Sequence, residues 1–146
     1  MSKRSARIIV DVPEPIELEW CWRDDWVTGW ASIYGLLSKF AKLNAIPASE
    51  VAKLFVSSTS GRKTAIVRTP DVDLRTVGPF DLLKLSKAFR IDRKQVLKAF
   101  VGEVFPNSQR KALPYLKWCL DCIQEGFHSP IHQLEFISAC PIHGSR

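Results

Sequence analysis

The sequence predicts a mainly α-helical chain, in which a helical domain with a helix-turn-helix-like pair precedes a small cysteine-rich module. Three observations predict it. Apolar residues recur at steps of three and four after Trp26, two short amphipathic segments follow one another around residues 81–101, and cysteine and histidine crowd together toward the C-terminal end. The 146 residues are 46% hydrophobic and 25% charged, a balance that supports a packed core rather than disorder. That length suits one compact domain, or a small domain joined to a stapled module whose own core is thin. The second arrangement is expected here.

Residues 1–19 read as an extended arm, because Pro13 and Pro15 interrupt regular structure and residues 7–10 form a short β-like run. Residues 20–106 read as the helical domain. Trp26, Trp30, Ile33, Leu37 and Phe40 share one face of an amphipathic helix. Asp24 or Asp25 is expected to cap its start, and Pro47 to end it near Asn44 by disfavouring helical geometry at Ile46. A second helix is expected to turn Val51, Leu54 and Phe55 inward. The small polar residues 57–63 suggest a loop, and residues 64–69 a short strand. Asp81 then precedes a stripe of Leu82, Leu85 and Phe89, while Asp92 followed by Gln95 resembles a capping box ahead of Val96, Ala99 and Phe100. Pro106 and Asn107 break the chain before a module at residues 113–146.

That module carries the most specific motif in the chain, Cys119-x2-Cys122 followed by Cys140-x2-His143. Two paired knuckles of this kind let a short chain supply the four tetrahedral sulfur and nitrogen donors that zinc prefers. The expectation is one structural Zn2+ held by Cys119, Cys122, Cys140 and His143 in a zinc-ribbon or zinc-finger module. With all four positions filled by protein, no place remains for a catalytic water. A redox role for the CxxC fits poorly, since no βαβ pattern surrounds it. Pro130 between His128 and His132 argues against a helical metal pair, so both read as structural residues behind the ligands, the alternative being that one of them replaces His143. Cys21, between Trp20 and Trp22, reads as a small buried residue.

The net charge is +6, and its distribution says more than its size. Residues 1–30 hold four basic against six acidic side chains, whereas residues 81–101 hold six basic against two acidic, a net +4. In the second helix of the pair Arg93, Lys94 and Lys98 face outward, and with Lys87 and Arg90 they form a candidate nucleic-acid surface. The other reading is an ordinary solvated face. The five tryptophans read as core, with Trp20 and Trp22 the candidates for a partner-binding patch if exposed. No phosphate-cradling glycine loop, GxSxG or acid–base carboxylate pair is present, so no enzyme is expected. No apolar run approaches the roughly 20 residues that span a bilayer, and the start lacks an apolar signal core, which suggests a soluble, cytoplasmic protein.

Three stretches resemble the TniQ (TnsD/TniQ) family of transposition target-selection proteins. WCLDCIQEGFHSPIHQLEFISACPIHG at 118–144 is similar to that family's zinc motif, with its CxxC, central histidines and closing CPxHG. WVTGWASIYGLLSKFAKLNAI at 26–46 is similar to the family's opening helix, with Lys39 where arginine is common. The third is the helix pair at 81–101. The resemblance implies a DNA-binding adaptor that links DNA, or in some members an RNA-guided CRISPR complex, to a transposition AAA+ ATPase. It implies no catalytic residue. Relatives usually continue beyond the CPxHG element, which suggests a short member or an N-terminal fragment. A homodimer is among the partners considered, and a zinc-stabilised protein-interaction module or transcriptional regulator without a transposition role is the competing expectation.

Overall fold

The computed structural model describes residues 20–57, 72–107, 112–113 and 115–145. The expected arm, both strand-like segments and most of the 57–63 loop lie outside them. The described residues are mainly helical: α1 Ile33–Leu43, α2 Ala48–Leu54, α3 Leu82–Phe89, α4 Arg93–Lys98, α5 Val101–Val104 and α6 Leu120–Gln124. The described residues also include the 3-10 turns Asp24–Trp26 and Pro130–Gln133. Strand-like pairing among these residues is confined to isolated antiparallel bridges, Val56 with Phe80 and Ala112 with Leu134.

The helix expected from Trp26 begins instead at Ile33, and neither Asp24 nor Asp25 caps it. Val27, Thr28 and Gly29 have low helix propensity. Ser32 offers a better start, because its Oγ accepts the Gly35 N–H at 3.1 Å. Two distant carbonyls fix the same point: Ser32 N–H donates to His128 O at 2.7 Å and Ile33 N–H to Ala99 O at 2.9 Å. Trp30 is consequently outside the helix and 58% exposed. Asp24 and Asp25 lie in the 3-10 turn, where Asp25 pairs with Arg23 at 2.8 Å.

Asn44 ends α1 and clasps the preceding segment. Its Oδ1 accepts the Cys21 N–H at 2.9 Å, and its Nδ2 donates to Cys21 O at 3.0 Å. This lays residues 20–22 across the helix, with Trp20 against Phe40 at 5.3 Å and Trp22 against Phe89 at 4.9 Å between ring centroids. Alternation along an extended segment turns Trp22 inward and Cys21 outward. Cys21 is therefore exposed rather than buried, and Trp22 is core rather than surface patch. The expectation that all five tryptophans are core holds for Trp22, while Trp20, Trp30 and Trp118 are exposed. In α2, Val51 and Phe55 face inward as expected, but Ala52 takes the third inner position and Leu54 faces out.

The centre of the helical body is aromatic. Phe40, Phe55 and Phe89 meet pairwise with centroids 5.2–5.8 Å apart, and Leu85, Val96 and Phe100 are fully buried around them. Asp81 caps α3 by accepting the Leu83 and Lys84 amides, and Asp92 caps α4 by accepting the Gln95 amide at 2.8 Å. Between the two helices Arg90 adopts φ 51. It occupies the left-handed turn that a glycine would adopt more readily. A smaller cluster of Val101, Ala112 and Leu134 joins α5 to the C-terminal module. Arg75 adds to this seam, pairing with Asp73 at 2.9 Å and donating to Ala112 O at 3.2 Å.

Candidate metal centre

Two tight turns bring the four predicted donors together. In the first, Cys119 is the N-cap of α6 and Cys122 lies within it. Gly126 at φ 69 then reverses the chain so that Phe127 N–H reaches Cys122 O at 2.7 Å. In the second, Gly144 N–H donates to Cys140 O and Cys140 N–H to Ser145 O, both at 2.8 Å, with Gly144 at φ 67. Glycine adopts that conformation without the clash a side chain would bring.

The ligand atoms of Cys119, Cys122, Cys140 and His143 all lie within 4.8 Å of one another. Cys122 Sγ is 3.6 Å from Cys140 Sγ, and His143 Nδ1 is 3.5, 3.3 and 3.8 Å from the sulfurs of Cys119, Cys122 and Cys140. A tetrahedral ion with metal–sulfur bonds of about 2.3 Å sets donor–donor edges of about 3.8 Å. The donor set and its spacing therefore fit one tetrahedrally bound metal ion.

Electrostatics favour the same occupant. The Ser145 hydroxyl, 3.0 Å away, leads in pulling the Cys119 thiol down to about 6, while burial and then the neighbouring cysteines push Cys122 up to about 12. Burial also pushes Cys140 up, but hydrogen bonds from the His143 and Ile142 amides hold it below an ordinary thiol. Three negative sulfurs this close resist full ionisation, and a dication removes that resistance. The His143 ring places its other nitrogen, Nε2, 3.5 Å from Glu125 Oε1. A carboxylate behind a ligating imidazole orients the ring. Glu125 and Ser145 were not singled out from sequence, although Ser145 directly follows the CPxHG element.

No protein-family model, curated protein or solved structure matches this chain.

His128 and His132 lie outside the four converging atoms, and both are buried. Their surroundings differ. His128 Nδ1 is 2.6 Å from Ser32 Oγ and its Nε2 is 2.9 Å from Lys117 O. The carbonyl can only accept, so the ring carries its proton on Nε2 and Ser32 donates to Nδ1. Burial lowers the His128 pKa to about 4 and also lowers that of His132, so both rings are neutral near pH 7. His132 is the residue that faces the sulfurs.

Lys87, Arg90, Arg93, Lys94 and Lys98 are all exposed on α3, α4 and the turn between them. Among the described residues none of the five forms an ion pair. The nearby carboxylates of Asp81 and Asp92 accept backbone amides as helix caps. Among the described residues no helix is long and apolar enough to cross a membrane.

Proposed function

We propose that the chain is a zinc-containing, DNA-binding adaptor for transposon target-site selection, linking DNA or an RNA-guided CRISPR effector to a transposition AAA+ ATPase. The observation that carries the DNA part is the unpaired basic face of α3 and α4. A helix that keeps Val96 fully buried while Arg93, Lys94 and Lys98 stay in solvent has its charges free for phosphates. Asp92 fixes where α4 starts, and hence where Arg93 and Lys94 project. The transposition part rests on the resemblance of residues 26–46, 81–101 and 118–144 to TniQ proteins.

Zinc suits the centre because three thiolates and an imidazole are its preferred donors, and four protein donors leave a tetrahedral ion no room for water. When bound, the ion supplies charge and cross-linking. The protein's own residues do the positioning: Cys119 and Cys122 tie α6, Cys140 and His143 tie the second knuckle, and His128 docks the module against α1.

Charge reversal of Arg93, Lys94 and Lys98 to Glu is expected to lower affinity for duplex DNA by about tenfold or more. It is also expected to reduce the salt slope by about 0.9 for each lost phosphate contact. Fluorescence anisotropy across a salt series reads both. Unchanged, salt-insensitive binding would falsify the DNA assignment.

The second reading is a protein-interaction module without nucleic acid. Trp118, Leu120, Phe136 and Ile142 are each 58–64% exposed on the C-terminal module, and Trp20 is 44% exposed. Partner capture lost on Trp20→Ala or Trp118→Ala but kept after the charge reversal would favour it.

A further inference from the structure

His132 sits on the 3-10 turn Pro130–Gln133 and is 3% exposed. Its orientation is fixed from behind, because the Ser129 backbone N–H donates to His132 Nδ1 at 3.3 Å while the Ser129 side chain caps the same turn. A neutral ring whose Nδ1 accepts a hydrogen bond carries its proton on Nε2. That nitrogen lies 3.6 Å from Cys140 Sγ and 3.9 Å from Cys122 Sγ.

We propose that His132 is a positioning residue of the metal centre, whose Nε2–H donates to the Cys140 thiolate and, more weakly, to that of Cys122. The inference rests on the reading that the four-donor cluster holds a metal ion. Three thiolates around a dication leave one net negative charge on the sulfurs. Ser145 Oγ, 3.0 Å from Cys119 Sγ, serves the first sulfur, the Ile142 and His143 amides serve Cys140, and His132 adds a donor to Cys140 and reaches Cys122. Each sulfur then has a donor that draws off charge, which lowers its reactivity toward electrophiles and competing metals. Direct ligation through Nε2 would move the ring proton to Nδ1 and set it against the Ser129 N–H. The capping contact therefore selects donation over ligation.

The full chain, zinc-loaded and 15N-labelled, tests this by long-range 1H–15N correlation at the His132 ring. The expected result is a proton on Nε2 and none on Nδ1, and the opposite tautomer overturns the proposal. In parallel, His132→Phe is expected to keep stoichiometric zinc but hold it about tenfold more weakly against a chelator. Its cysteines should also alkylate faster, and His132→Gln, which retains an amide donor, should restore both. Identical retention and alkylation in wild type and His132→Phe would overturn it. So would loss of zinc from His132→Phe with retention in His143→Ala, which would make His132 the ligand. If the wild-type chain takes up no metal, the centre itself has been misread and this assignment goes with it.

Discussion

His128 is neutral and buried between a serine and a carbonyl, and that placement makes stability depend on pH. Its folded pKa of about 4 lies below the ordinary value of 6.5, so the unfolded chain binds the proton more readily. The stabilising contribution is full above pH 6.5 and is lost as pH falls toward about 4. It amounts to roughly 3 kcal/mol over that window. Denaturant titrations of wild type and His128→Asn should therefore diverge in slope against pH, with the variant flatter between pH 6.5 and 4. Ser32→Ala removes both the helix cap and the donor to His128 Nδ1. A loss of about 2 kcal/mol is expected from those two effects. The metal donors were legible because their types and spacing belong to a local code. What His128 and His132 touch was not, since the Ser32 partner of His128 is 96 residues away.

The helices show the same division between local and distant causes. α3 and α4 were legible because their caps and apolar stripes lie within the segments themselves, and Asp81 and Asp92 do what their positions suggest. The start of α1 was not, because carbonyls of His128 and Ala99 choose Ser32 over an equally periodic start near Trp26. Arg90 is where stability and the proposed DNA binding can be tested apart. It holds a left-handed conformation at φ 51, which costs a non-glycine residue about 1 kcal/mol. Arg90→Gly should raise the unfolding midpoint slightly, or leave it unchanged once added chain entropy is counted. The same substitution should weaken duplex DNA binding. Asp92→Ala should cost about 1 kcal/mol and blunt DNA binding too, since α4 would fray where Arg93 and Lys94 project.

At the scale of the molecule, the C-terminal module is not an independent bead. It meets the helical body through Ser32 and His128, through Arg75 and Ala112, and through the small cluster around Leu134. Chelation is expected to release residues from about 113 onward, and to loosen the first turn of α1 as well. Hydrogen exchange on the metal-free chain checks this: faster exchange at the Gly35 and Leu36 amides, with the Leu85–Phe89 core still protected, is the expected pattern. Uniform protection without metal would show that the ion staples nothing.

The long reach from Ser32 to His128 also sets an order of events during synthesis. A ribosome must deliver the 96 residues from Ser32 to His128 before the acceptor for the Ser32 amide exists. A nascent chain stalled short of residue 128 would present α1 without that anchor, its first turn held by the Ser32 side chain and by the Ala99 carbonyl once that is made.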